Sequence, residues 1–207
     1  MLLDADDCQL LLVDYQTRLM PAIFEGERVV SNAITLARLA QIFQVPLWGT
    51  LQNPDKLGAH VPELLAAFDE AGGRTLDKMD FSAAEGDLIE ALRPAPPRKP
   101  MGGNARSLPK HLQKPTVVDD EARSTIVVAG CEAHVCMMQT ALDLLEAEFD
   151  VWVVTDACSS RTERNRDAAF DRLAGNGAEL VTTEMVAFEW LRSAAHPAFK
   201  QVQALIK

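Results

Sequence analysis

Apolar residues fall into two kinds of run along this chain. Short runs of strand length recur at Cys8 to Val13, Pro46 to Leu51, Thr125 to Ala129, Val151 to Thr155 and Glu179 to Thr182, with a weaker sixth at Arg74 to Lys78. Each is followed by a longer segment in which apolar positions return every three or four residues, the period of a helix with one buried face. In Val29 to Phe43 the marching positions are Val30, Ile34, Ala37 and Ala40 or Gln41. Further helices are predicted over Pro62 to Glu70, Ser82 to Leu92, His134 to Glu148, Arg164 to Asn176, Glu184 to Arg192 and Pro197 to Ile206. Gly177 stands where a helix C-cap belongs, and Pro197 suits a first turn. This alternation predicts an α/β fold, a three-layer α/β/α sandwich around a six-stranded, mainly parallel sheet.

The period breaks between Arg93 and Asp120, where six prolines and Gly102 and Gly103 make a long loop. Such loops are first of all solvated surface, with a lid or an oligomer contact as the functional uses. A length of 207 residues suits a single domain, 1–207, carrying that Pro-rich loop at 93–120.

Composition narrows the partners. A net charge of −10 repels phosphate backbones and anionic bilayers, so no nucleic acid and no membrane are expected. The start, Met1 to Gln16, is acidic where a secretory leader is basic, and no apolar run approaches about 18 residues. A cytoplasmic protein is predicted. Cys8, Cys131, Cys136 and Cys158 form no CxxC pair, and His60, His111, His134 and His196 have no metal-ligand spacing. Neither a metal nor a cofactor is expected.

Ligands of open parallel sheets bind at the carboxyl ends of the strands. Three polar residues stand just past apolar runs: Asp14, Lys78 and Cys136. Taken singly, each has an ordinary reading as a turn aspartate, a solvated lysine or an inert core thiol. Together they supply a soft nucleophile, a proton shuttle and a fixed cation. Cys136 would lie in the first turn of a helix, where backbone N–H groups and the helix dipole favour a thiolate and Lys78 favours it further. Asp14 would take the thiol proton and return it to a leaving amine.

The stretches Leu12-Val-Asp14-Tyr-Gln, Lys78-Met-Asp-Phe-Ser, Gly130-Cys-Glu-Ala-His-Val-Cys136 and Val154-Thr-Asp156-Ala-Cys-Ser-Ser-Arg161 resemble, in this order, the motifs of the isochorismatase-like cysteine hydrolases. Gln52 to Gly58 and His196 to Lys200 resemble the branch of isochorismatase-domain proteins with no assigned substrate. The resemblance implies a catalytic triad of Asp14, Lys78 and Cys136. It implies an oxyanion hole from the backbone N–H groups of Glu132 and Cys136, with a cis peptide joining Cys131 to Glu132. Gln16, Gln52, Phe81 and His134 are candidate pocket-lining residues, although His134 has packing as its ordinary use.

The implied reaction is hydrolysis of a small amide, ureide or related C–N bond through a cysteine thioester, in a homo-oligomer. The Asp-x-His pair of metal-dependent nicotinamidases is replaced here by Thr50-Leu-Gln52, which demotes nicotinamide as substrate. Two other classes stay open: a non-catalytic partner-binding protein on the same fold, and a thiol redox sensor using Cys136. Asp156, Ser159, Ser160 and Arg161 follow a strand and are expected to order a loop near the rim or a subunit contact.

Overall fold

The computed structural model describes residues 1–93 and 123–206. The predicted Pro-rich loop at 93–120 therefore lies, but for Arg93, outside the described residues. Six strands, β1 (Cys8–Val13), β2 (Leu47–Gln52), β3 (Arg74–Lys78), β4 (Thr125–Gly130), β5 (Asp150–Val154) and β6 (Glu179–Val181), form one sheet in the order β3-β2-β1-β4-β5-β6. Every pairing is parallel. β1, β2 and β4 are buried along their whole length, which is why they read as unbroken apolar runs. β3 sits at the edge and is largely exposed, hence its weak apolar signature.

The helices are α1 (Gly26–Phe43), α2 (Pro54–Leu57), α3 (Pro62–Glu70), α4 (Leu88–Leu92), α5 (Met138–Glu146), α6 (Glu163–Gly175), α7 (Thr183–Leu191) and α8 (Phe199–Leu205). Right-handed crossovers that run outward from β1 in one direction and from β4 in the other place their helices on opposite faces. Accordingly α1 packs with α3 and α7, and α5 packs with α6. α1 buries Val29, Ala33, Leu36, Ala37 and Ala40, a stripe at three- and four-residue steps. Leu36, fully buried, contributes about 1.5–3 kcal/mol. Thr162 and Thr182 cap α6 and α7 by accepting from Asn165 N and Met185 N. Gly177, at φ 96°, takes the left-handed position after α6.

Two predicted helices differ from those observed. The segment expected to be helical from Ser82 is helical only over Leu88–Leu92. The Phe81 carbonyl, which as N-cap would accept the first intrahelical bond, accepts from Lys78 Nζ instead, and Ala83 N donates to Thr140 Oγ1. The helix expected over His134 to Glu148 opens with a π turn, Ala133–Met137, before α5 begins. Such one-turn widenings are frequent at functional sites.

Candidate active site

Strand order reverses between β1 and β4, so the crevice of the sheet opens at their carboxyl ends. The two strand ends approach closely: a Cβ on Gly130 would stand 2.5 Å from the Val13 carbonyl oxygen, so only glycine fits there. Asp14 is the next residue after β1, with φ 55°, a left-handed conformation that aspartate tolerates better than most residues.

The Asp14 carboxylate is fully buried and held on both oxygens. Thr50 Oγ1 donates to Oδ1 at 2.7 Å, and Lys78 Nζ to Oδ2 at 2.7 Å. Thr50 pairs with Val13 across the sheet, which places its hydroxyl beside Asp14. A buried carboxylate is tolerable only with such partners.

Lys78 ends β3 opposite Gln52 on β2. Its ammonium also donates to Gln52 Oε1 at 2.7 Å and to Phe81 O at 3.1 Å, with Asp80 O at 3.4 Å. An ammonium has three hydrogens. Asp14, Gln52 and Phe81 take them, which leaves Lys78 no donor for a substrate.

Cys136 lies in the π turn, 6% exposed. Its Sγ stands 3.9 Å from Gln52 Oε1, the oxygen that also accepts from Lys78 Nζ. The three residues predicted from separate motifs are thus side by side. Burial, and after it the Asp14 carboxylate, pushes the Cys136 thiol up to about 12, and Lys78 offsets only part of this. This corrects the thiolate expected at the helix tip. The helix terminus and the lysine are both present, but the site is desolvated and the lysine is already committed to Asp14 and Gln52. The nucleophile rests as S–H. Burial also pushes Cys8 up to about 11 and Cys158 up to about 12, and raises Cys131. All four cysteines are free.

The segment ahead of Cys136 is laced to the loop after β5. The Cys131–Glu132 peptide is cis. Ala133 N donates to Ser159 O at 2.7 Å and His134 N to Ser160 Oγ at 3.4 Å, while Val135 N and Met137 N both donate to Glu132 O. These bonds engage the Ala133, His134, Val135 and Met137 amides. The Glu132 carboxylate accepts from the Arg161 amide at 3.2 Å and from its Nε at 2.8 Å. Ser159 Oγ donates to Phe24 O, and Asp156 Oδ1 accepts from Thr183 N and Oγ1. Asp156, Ser159, Ser160 and Arg161, expected at a rim loop or a subunit contact, thus bond within the chain to α7, Phe24, His134 and Glu132.

The four pocket-lining candidates divide. Gln52 reaches the sulfur. Gln16 is fully buried and spends its amide on Gln52 N, Gln52 O and Gly58 O, clamping the end of β2. Phe81 is exposed and lends its carbonyl to Lys78, and His134 Nδ1 stands 2.9 Å from Ser160 Oγ. Sequence reasoning missed Thr50, whose signal is its place one residue short of level with Asp14 on the neighbouring strand. It also missed the Glu132–Arg161 pair, which joins two motifs far apart in the chain and has no local signature.

Among the described residues no cluster of three His, Cys, Asp or Glu side chains converges as a metal site, and no helix is long and apolar enough to cross a membrane.

Residues 112–185 match the isochorismatase domain. Isochorismatase domain-containing protein 2A of Mus musculus is 34% identical over 198 residues, which covers 96% of this chain and 82% of the mouse protein. The chain belongs to the isochorismatase family. Solved structures with the family's fold superpose over the full length. The MAR1 ribonuclease of Caenorhabditis elegans has a TM-score of 0.82 at 28% identity, covering 100% of this chain and 92% of that one. The YcaC gene product of Escherichia coli, described as an octameric hydrolase of unknown specificity, has a TM-score of 0.76 at 26% identity, covering 100% and 95%. This isochorismatase-family hydrolase therefore has its family's six-stranded α/β architecture.

Proposed function

We propose that this protein hydrolyses a small amide, ureide or related C–N bond through a thioester on Cys136, with Asp14 as proton shuttle and Lys78 as the fixed cation. The observation that carries the reading is the buried cluster of all three, with one Asp14 oxygen on Lys78 and the thiol joined to Lys78 through Gln52 Oε1. As sulfur attacks the carbonyl carbon, its proton passes to Asp14, so no free thiolate has to form first. The oxyanion is received by the Glu132 and Cys136 amides, since Lys78 has no hydrogen to spare. Asp14 then protonates the departing nitrogen, the C–N bond breaks, and the acyl group remains on sulfur. Water attacks the thioester, Asp14 takes its proton and returns it to sulfur, and a carboxylic acid leaves.

A peroxide-sensing role draws less support, because such sensors work through an acidic, accessible thiol and this one is buried and protonated. The worm neighbour's designation as a ribonuclease makes RNA a necessary comparator, although a net charge of −10 offers little to a polyanion. The proposal extends to a cytoplasmic protein that assembles as a homo-oligomer, as the bacterial neighbour does.

The test is a panel of amides, ureides and carbamoyl compounds, with RNA alongside, followed by acid quench and intact mass measurement. A turned-over panel member should leave an acyl adduct on Cys136 that is absent in Cys136→Ser. Turnover that survives Cys136→Ser would refute the mechanism.

A further inference from the structure

Gln52 has a different relation to the reacting groups from any other residue at the rim. Its carboxamide nitrogen donates to Met79 O at 2.6 Å, which fixes the orientation of the amide and turns Oε1 inward. A flipped amide would set oxygen against the Met79 carbonyl and nitrogen against an ammonium. Inward, Oε1 accepts from Lys78 Nζ at 2.7 Å and lies 3.9 Å from Cys136 Sγ, where it accepts from S–H. The backbone below it is fixed as well. Gln16 binds both Gln52 N, at 2.9 Å, and Gln52 O, at 3.0 Å, and is itself fully buried. A buried glutamine thus exists to hold a second glutamine whose one oxygen touches both the cation and the nucleophile.

We propose that Gln52 is a fourth functional group of the site, an acceptor that keeps Cys136 protonated and Lys78 engaged on Asp14 until a substrate carbonyl draws the sulfur away from it. This rests on the Cys136 mechanism above and adds to it a reason for the resting state. A neutral acceptor at this point stabilises S–H without stabilising S⁻, and it occupies an ammonium hydrogen that would otherwise turn toward sulfur and favour the thiolate. The charged groups facing the thiol are Asp14 at the end of β1 and Lys78 at the end of β3. His134, on the same turn as Cys136, is directed to Ser160. A thiol held this way is protected from adventitious oxidation and alkylation, since only the thiolate reacts.

The probe is iodoacetamide, with the rate of Cys136 alkylation followed by peptide mass spectrometry from pH 6 to 9, which needs no known substrate. Gln52→Met, close in size but without the oxygen, lowers the thiol's proton affinity. A tenfold gain in thiolate fraction, partly offset by its weaker nucleophilicity, gives about a threefold faster rate at pH 8. Gln52→Glu adds a negative charge beside Asp14 and slows alkylation by about the same factor. Gln52→Asn withdraws the oxygen by one methylene and accelerates the reaction as Met does, and it serves if Gln52→Met fails to fold.

Equal rates in wild type and Gln52→Met or Gln52→Asn, or a shift in the same direction for Glu as for Met, would overturn the proposal. Asp14→Asn separates the two levels. If it accelerates alkylation of Cys136 while the Gln52 variants do nothing, the gate alone is wrong. If neither residue affects Cys136, the mechanism falls with it.

Discussion

The two ends of the one sheet carry buried polar networks of opposite character. At the amino ends of the strands, Gln9 is buried, donates to Leu92 O at 3.0 Å and Arg123 O at 3.1 Å, and accepts from Trp48 Nε1 at 3.0 Å. Every member there is neutral where it bonds, and every bond joins structure to structure. A groove of about 840 Å³ lies at this end and is lined in part by Gln9, Trp48, Arg74 and Arg123. At the carboxyl ends, Thr50, Asp14, Lys78 and Gln52 form a chain of charged and charge-assisted bonds that ends on a sulfur. The useful sign is a buried charged network that ends on a nucleophile.

If that contrast holds, removing a charge at the carboxyl end should change reactivity in two opposite ways. Asp14→Asn removes the proton shuttle and should lower the hydrolytic rate by about 10²- to 10⁴-fold on any substrate the panel yields. The same change removes the negative neighbour that helps to push the thiol up to about 12. Alkylation of Cys136 at pH 8 should therefore become faster while hydrolysis is lost. Parallel loss of both, measured on a variant with wild-type circular dichroism, would mean that Asp14 acts only as scaffold.

The matching change at the amino end should affect stability and leave reactivity alone. Gln9→Leu strands the Trp48 indole N–H and the Leu92 and Arg123 carbonyls, at a cost of about 1–3 kcal/mol for buried groups without partners. Denaturant melts should show that loss, with the Cys136 alkylation profile unchanged. A shift in the profile would show that the two networks communicate through the sheet.

How far each end was legible from sequence follows the same division. β1, β2 and β4, buried on both faces, announce themselves as apolar runs, and the residues just past them or their connecting turns, Asp14 and Cys136, are readable by position. β3 is an edge strand with an exposed pattern, so Lys78 is placed by its motif more than by periodicity. The failures are those of competition in three dimensions. Where a helix is expected from Ser82, the Phe81 carbonyl meets Lys78 Nζ and the Ala83 amide meets Thr140, and at Cys136 burial and the Asp14 carboxylate outweigh Lys78. Helix propensity and helix dipole are local signals. Which acceptor wins an ammonium hydrogen depends on strand register.

A smaller effect marks the ground between the two networks. His60 is 2% exposed, and both of its ring nitrogens are without a hydrogen-bond partner among the described residues. It packs on Phe68 and over Gly49, whose missing side chain makes room for its Nε2. Burial lowers its pKa below the ordinary 6.5, against the opposing pull of the Asp14 and Asp69 carboxylates. Because the folded value is depressed, the unfolded chain takes up a proton first as pH falls. Stability is whole above about 6.5 and declines below it, with a slope of at most about 1.4 kcal/mol per pH unit. Other groups titrate lower, so the comparison is between wild type and His60→Leu, each melted in denaturant at pH 7.5, 6.5, 6.0 and 5.5. The difference in stability between the two should shift in favour of the leucine variant as pH falls, whatever its sign at pH 7.5. A constant difference across that range would mean that His60 titrates alike in the folded and unfolded chain, and a shift in favour of the wild type as pH falls would mean that Asp14 holds its charge and that the histidine belongs to the charged network at the carboxyl end.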